Sequence, residues 1–600
     1  MARGEAMRQR MSGWADKRMV AALTVLLSAH PLVRLSAQSD TAEARRVFLG
    51  NIDAIHKRDR ARYLSYYLDS PNFTRNGPAG MQLGFAPFAA VRDTTWPDSL
   101  MASDIRLVQL QPGLVYGSYR YRVTQRGVTS FGTSERVFVR TPAGMKIAVS
   151  TAFPAPPGTP PPPLVLLGAT LIDGRGGTPI ADAVVVTANG RIACAGPRGS
   201  CAGGDAPRDT MLLAGSWIIP GLIDAHVHFS QTGWVDGRPD ALDRRADHPY
   251  ERVQAELETR PERLLRAYVC SGVTAVFDVG GFPWTWALRR RAESDLEAPH
   301  VSAAGPLLST VDRPILGLPD SRQILHVPDD TAAVSAVRSH VARGSDAIKI
   351  WYIAGRNADT AALSRRVRLI GAEARRLGAR LIVHATGLRQ ATEAVEAGAN
   401  LLVHGVGDQP VDENFLRLAR DRGVIYTPTL TVTDGYRQVR ERRFEPHYPL
   451  DCVDPVTLEK ARATDTIPGG ASQPAPGTPA ERARLSMANL LAVHRAGITV
   501  AMGTDAGNPL TLHGPSVYWE MEMMQEAGMT PAEVLVAATR NGARAMGRES
   551  ELGTIEAGRA ADMVVLRSDP LADIRNVRNV TFVMRGGSMT TPVLLSPLGR

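Results

Sequence analysis

Eight apolar runs of strand length alternate with amphipathic helical segments between residues 217 and 505, which predicts an α/β chain built on a (β/α)8 barrel. Strand-rich stretches on either side of those runs predict a composite β-sandwich domain contributed by both flanks. A proline run, PAPPGTPPPP, sets all of this apart from a small α+β domain at the front. At 600 residues the chain is too long for one hydrophobic core, so division into domains is expected. The predicted boundaries are a leader over 1–37, the α+β domain over 38–153, a linker over 154–163, the composite sheet over 164–217 and 550–600, and the barrel over 218–549.

The leader comes first. A basic stretch ends at Lys17-Arg18, an apolar run covers Met19 to Ala29, and Leu35-Ser36-Ala37 offers small residues for cleavage. The apolar run is shorter than the roughly 20 residues that span a bilayer. The protein is therefore expected to be exported, periplasmic or extracellular, with no membrane span after signal cleavage. Of the formal charge of +9, the first 37 residues carry +4, from six Lys/Arg and two acids. The remaining +5 is too dilute over the rest of the chain to track phosphates, which excludes nucleic acid as a partner.

Behind the leader, a helical segment over Glu43–Tyr67 precedes the strands LVYGSYRYRVTQ, SERVFVRT and GMKIAVSTAF. A helix followed by a curved antiparallel sheet resembles the cone-shaped domains of the nuclear transport factor 2 superfamily. That resemblance implies an accessory or dimerisation module, and hence a homo-oligomer. The proline run then acts as a semi-rigid spacer. LVLLGATLIDGRGGTPIADAVVVTANGRIACAG and, at the far end, GTIEAGRAADMVVLRSDPLADIRNVRNVTFVMRGG supply the two halves of the composite domain. Gly174-Arg175-Gly176-Gly177 opens no helix in a βαβ unit, so it punctuates a turn and holds no phosphate.

The barrel strands are WIIPGLIDAHVH, GVTAVFDVG, HVSAAG, DAIKIWYI, RLIVHA, NLLVHG, GVIYTPTL and GITVAMGTD. Two excursions interrupt them, Phe229–Tyr250 and Thr429 to about Arg484; long loops on the catalytic face of a barrel are lids or specificity elements. His226 and His228 close the first strand, and alternation puts both imidazoles on one face. Paired imidazoles suit a borderline-soft divalent cation. His384 and His404 end two later strands with the same apolar lead-in, and Asp505 ends the last. This fold keeps its chemistry at those strand ends. Lys349 stands inside the apolar run DAIKIWYI in a chain with four lysines beyond its leader. Burial lowers a lysine's pKa, and a neutral amine can be carbamylated by carbon dioxide into an anion that bridges two cations.

His-x-His, Lys, His, His and Asp on strands one, four, five, six and eight resemble the dinuclear amidohydrolase superfamily. GLIDAHVHF, VHATG, GTDAG and the EAGMTPAEVLVAATRNGARAMG tail resemble its imidazolonepropionase-like branch, which includes Xaa-Pro dipeptidase-like enzymes. The resemblance covers about Leu164 to Gly587. It implies two divalent ions, with zinc expected. One would sit on His226, His228 and Asp505 and the other on His384 and His404, with carbamylated Lys349 and a hydroxide between them. Asp505 would take the hydroxide's proton and return it to the leaving amine. The implied activity is cleavage of an amide bond in a small molecule or dipeptide, of dipeptidase or prolidase type.

The alternative is a mononuclear deaminase or cyclic-amidine hydrolase of the same fold. Such relatives carry a glutamate three residues after the fifth-strand histidine, where this chain has Gly387, and lack the strand-four lysine. A second departure is Phe277-Asp278, where relatives often place Arg-Asp. His513, in the loop after Asp505, is a candidate substrate contact, whereas Tyr352 is expected to pack. His248, His326 and His447 fall in loops and receive no role. Cys194 and Cys201 are close enough to pair; Cys270 and Cys452 are expected as free thiols.

Overall fold

The structure, a computed structural model, describes residues 40–77, 80–90, 96–97, 99–125, 128–155, 163–201, 209–355, 358–467, 479–596. The expected leader and most of the proline linker lie outside these. The chain divides into two compact units, residues 1–123 with 130–159 and residues 124–129 with 160–600.

In the first unit, the single helix expected over Glu43–Tyr67 is two helices, residues 40–56 and Arg60–Ser65. Arg58 turns the chain with a φ of 53°, and Asp59 restarts the helix by accepting a hydrogen bond from Arg62 N at 3.0 Å. Strands β1 (Thr74–Gly77), β2 (Gly80–Leu83), β3 (Ser99–Gln111), β4 (Leu114–Gln125), β5 (Val128–Thr141), β6 (Gly144–Thr151) and β7 (Phe153–Pro154) follow. They form one sheet in the order β2-β1-β6-β5-β4-β3, with β7 also on β5. Phe48, Tyr67, Phe73, Phe138 and Ile147 make its core against the helices. Arg136 of β5, a charged side chain, is buried beside them.

The second unit begins with β8 (Leu164–Leu171), β9 (Ile180–Ala188), β10 (Arg191–Pro197), β11 (Asp209–Leu212) and β12 (Trp217–Pro220). The barrel strands are β13 (Leu222–Val227), β14 (Val273–Asp278), β15 (His300–Ala303) and β16 (Leu307–Ser309). Past a small hairpin of β17 (Gly317–Leu318) and β18 (Ser321–Arg322) come β19 (Ile324–His326), β20 (Ile348–Trp351), β21 (Leu381–His384), β22 (Leu401–Val403), β23 (Ile425–Thr427) and β24 (Thr499–Val500). The chain closes with β25 (Met563–Leu566), β26 (Val580–Arg585) and β27 (Ser588–Thr590).

Both flanks do share a sheet. It is one eight-stranded ladder, β10-β9-β8-β12-β25-β26-β27 with β11 on β8, instead of the two facing sheets of a sandwich. Trp217–Pro220, expected as the start of the first barrel strand, belongs to this sheet and pairs antiparallel with β25. Gly221 turns the chain between sheet and barrel; a Cβ there would lie 2.0 Å from Thr274 Oγ1.

The barrel strands form a TIM-barrel-like layout of two hydrogen-bonded arcs, β13-β14-β15 and β19-β16-β20-β21-β22-β23-β24. Ala225 N donates to Met502 O at 3.0 Å and Asp505 N to His226 O at 2.8 Å, which ties the end of the second arc to β13. Across the other gap Asp346 N donates to Ala303 O at 3.1 Å. The (β/α)8 layout expected from sequence thus has its strands in two hydrogen-bonded arcs with individual backbone bonds across the gaps.

Ion pairs clamp the composite sheet to the barrel. His300 of β15 lies 2.8 Å from Glu293 Oε2 and 2.9 Å from Asp562 Oδ2. Arg548 and Arg585 reach Glu293 at 2.8 and 3.2 Å. Burial alone would raise the Glu293 pKa, but His300 and Arg548 outweigh it and hold the group at about 2.

The expectation of free thiols at Cys270 and Cys452 is overturned: the two form a disulfide across 182 residues, and Cys194–Cys201 forms another across 7. Cys270 ends the helix Glu262–Cys270, and Cys452 lies before the helix Pro455–Arg462. The fold brings them together beside Val269, Val583 and Leu595. Among the described residues no helix is long and apolar enough to cross a membrane.

Candidate metal centre

β13 is buried along its whole length, and its alternation puts Asp224, His226 and then His228 on one face. Asp224 anchors the floor of the site by accepting hydrogen bonds from His226 N at 3.2 Å, Thr504 N at 2.9 Å and Thr504 Oγ1 at 2.6 Å. Burial lifts its pKa to about 7 despite those donors.

His228 Nδ1 donates to the Gly280 carbonyl at 2.6 Å, which leaves the lone pair on Nε2. That Nε2 lies 3.0 Å from Asp505 Oδ1 and 3.3 Å from His226 Nε2; His226 Nε2 lies 3.2 Å from the same oxygen. Burial pushes His226 down to about 3, so its ring is neutral. Burial works against the Asp505 charge, yet His226 and His228 hold its pKa well below the usual carboxylate range. Two imidazole nitrogens and a carboxylate oxygen thus converge in a buried site, a donor set that suits a divalent cation.

His404 follows β22; its Nδ1 lies 2.9 Å from Thr429 Oγ1 and 3.8 Å from Asp505 Oδ2. His384 ends β21 with its ring centroid 4.3 Å from that of His404. Burial drives both imidazoles well below their ordinary pKa. His226, His404 and Asp505 each offer a ligand atom, all within 4.8 Å of one another. Lys349, in β20 and 2% exposed, is pulled down by burial to about 7. His228, Lys349, His384, His404 and Asp505 all line one cavity of about 240 Å³. The six side chains expected as ligands are thus gathered at one end of the barrel strands.

The backbone is bent to achieve this. His404, Thr429 and Asp505 have φ of 74°, 49° and 63°, the left-handed region that side-chain-bearing residues avoid at a cost of about 1–3 kcal/mol each. Glu520, on the helix Ser516–Glu526, pins the Thr429 turn by accepting from Leu430 N and Thr431 N, both at 2.9 Å. Gly503 allows the last strand to press on β13, since a Cβ there would lie 2.9 Å from that of His226.

His513 departs from its expected role. It is 3% exposed, stacks on Phe229 at 5.8 Å and donates from Nε2 to the His228 carbonyl at 3.0 Å. It lies behind the ligand strand and does not line the cavity, so it braces His228 instead of meeting substrate. Phe277 is packed in the core, and Asp278 accepts from Gly280 N at 3.0 Å, so neither presents a group to substrate. Tyr352 is 2% exposed, and its hydroxyl donates to Glu393.

Sequence reasoning missed three contributors. Asp224 shares the parity of the two histidines in an otherwise apolar strand, a signal that could have exposed it. Glu520 acts from a helix remote in sequence and gave no such signal. Arg238, within the excursion Phe229–Tyr250, lines the cavity; a forked pair with Asp240 at 2.8 and 3.0 Å holds it, and it donates to Asn508. Leu307, Leu316, Trp351 and Val432 supply an apolar wall.

The amidohydrolase family profile matches residues 217–590. An ochratoxinase from Aspergillus niger is 24% identical over 479 residues, covering 72% of this chain and 88% of the relative. An imidazolonepropionase from a Bradyrhizobium strain is 27% identical over 422 residues, 66% of this chain and 90% of that protein. Among solved structures, a Xaa-Pro dipeptidase with bound methionine shares the fold. Its TM-score is 0.55 at 24% identity, over 72% of this chain and all of that one.

Proposed function

The chain belongs to the amidohydrolase family, and from that premise we propose that it hydrolyses the amide bond of an N-acyl amino acid or dipeptide at a dinuclear metal centre. The observation that carries this reading is the approach of His226 Nε2, His228 Nε2 and Asp505 Oδ1 within 3.3 Å, in the cavity that also holds buried Lys349. His226, His228 and Asp505 would hold one ion and His384 and His404 a second, with Lys349 as a carbamate between them. Bound divalent ions at such a site lower the pKa of water and polarise a carbonyl.

The chain's own groups do the rest. Asp505, held ionised, accepts the proton of the attacking water and delivers it to the departing amine nitrogen. The Gly280 carbonyl fixes the tautomer of His228, and Glu520 fixes the turn against which His404 leans. The apolar wall takes an aliphatic or aromatic side chain, and Arg238 and Gln231 face the polar part of the substrate. Gly387 disfavours the deaminase alternative, because it leaves the position without the glutamate that such relatives carry there. Two disulfides suit an oxidising compartment and support the reading of an exported protein.

The test is a panel of dipeptides and N-acyl amino acids incubated with zinc-supplemented protein, with amine release followed alongside metal content. Turnover of apolar members at two ions per chain, abolished by chelation and restored by zinc, is expected. Absence of C–N cleavage across the panel by protein holding two ions would overturn the amide reading.

A further inference from the structure

The first unit contains a cavity of about 480 Å³, a size that suits a small organic ligand. Its floor holds Arg136, which is 4% exposed and shares the inward parity of Ser134 and Phe138 on β5. A guanidinium is always charged and carries five N–H donors. Here Nη1 donates to Asn51 Oδ1 at 3.0 Å and Tyr67 OH at 3.3 Å, and Nη2 donates to Tyr119 OH at 3.0 Å. Nε has no acceptor. Among the described residues no carboxylate pairs with Arg136, whereas Arg140, four residues further along β5, has both Asp40 and Glu43. Among the described residues every partner of the buried charge is neutral, including the rings of Phe48 and Tyr119, which lie 5.7 and 5.5 Å from the guanidinium carbon. A buried cation without a counter-charge is costly, and a fold that served only stability would place an apolar residue there.

The walls above the charge are aromatic. Tyr63 meets Tyr67, Phe88 and Trp96 in tilted or edge-on contacts at 5.1, 6.1 and 5.6 Å. Tyr67 OH donates to Tyr63 OH at 2.9 Å, so the hydroxyls chain away from the guanidinium along one side of the cavity. At the rim, Arg75 lies 5.6 Å over the Phe88 ring.

We propose that this cavity is a second ligand site, separate from the metal centre, for a small carboxylate with an aromatic or apolar body. The carboxylate seats on Arg136 and supplies the missing counter-charge, and the body packs among Tyr63, Phe88 and Trp96. Charge-assisted hydrogen bonds to a buried guanidinium give the selectivity for an anion, and the aromatic cage excludes bare inorganic ions.

The test uses the full-length, metal-loaded chain with phenylacetate, its uncharged isostere phenylacetamide, and acetate, read by hydrogen–deuterium exchange and titration calorimetry. Phenylacetate is expected to protect peptides from residues 60–88 and 130–151 at millimolar concentration, with phenylacetamide and acetate bound at least roughly tenfold more weakly. Arg136→Gln is expected to remove that protection while leaving exchange around His226 and His228 unchanged. Should Arg136→Gln not fold, the comparison of the three probes on the wild-type chain decides alone. Protection confined to the metal centre, equal binding of phenylacetamide, or no protection of the first unit would each overturn the proposal.

Discussion

Replacing Cys270 and Cys452 together by serine removes a cross-link that closes a loop of 182 residues, from the helix after the first barrel strand to the long excursion before the last. In the chain-entropy treatment a loop of that length restricts the unfolded chain by about 5 kcal/mol at 25 °C, against about 2 kcal/mol for the seven-residue loop of Cys194–Cys201. Unfolding entropy near 60 °C is about 2.1 cal/mol/K per residue, or about 0.9 kcal/mol/K for the second unit's 441 residues in 160–600. The Cys270→Ser/Cys452→Ser chain should therefore melt about 6 °C below the wild type, and the Cys194→Ser/Cys201→Ser chain only about 2.5 °C below. Calorimetric melting of the three chains, with peptide mapping under non-reducing conditions, makes the comparison. Equal melting of the long-loop variant and the wild type, or free thiols at 270 and 452 in the mapped wild type, would refute the reasoning.

Lys349→Ala should abolish most turnover, because it deletes the anion proposed to bridge the ions, and short carboxylic acids should partly restore it; steady-state rates with and without added acetate or propionate measure this. Near wild-type turnover in the variant would rule out the carbamate. Glu293→Gln should weaken the clamp between composite sheet and barrel. The Glu293 pKa falls from 4.5 to about 2 on folding, so its contribution is complete above about pH 4.5 and vanishes as pH drops through about 2. The melting temperatures of wild type and variant should accordingly differ most near neutrality and converge toward pH 2.

The cluster of candidate ligands was legible because barrel geometry turns spacing into direction. His226 and His228 had to share a face, and strands led His384, His404 and Asp505 to a common end. What crossed between distant segments was not legible. Cys270 and Cys452 are remote in sequence, and no local pattern reports that a helix end meets an excursion loop. His513 read as a loop residue near the site, but stacking on Phe229 and a bond to the His228 carbonyl turned it away from the cavity. The helix over Glu43–Tyr67 had the right composition and periodicity throughout, yet Arg58 and Asp59 broke it in two. Arg136 sat in an alternating strand as one more polar position, and only the packing showed that it faces inward.

The shared sheet carries a consequence for how the chain is made. Pro220 of β12 pairs with Met563 of β25, so the inner strand of the sheet gets its second neighbour only after the whole barrel has left the ribosome. At the usual 5–20 residues per second, those 343 intervening positions (563 minus 220) represent roughly 20–70 s of synthesis. Throughout that interval the nascent Trp-Ile-Ile-Pro edge is an apolar strand with open hydrogen-bonding groups, the kind of surface that recruits a neighbouring polypeptide. The demand this protein places on chaperones is therefore set by the order in which its strands are translated, and a finished fold of any stability would not lessen it.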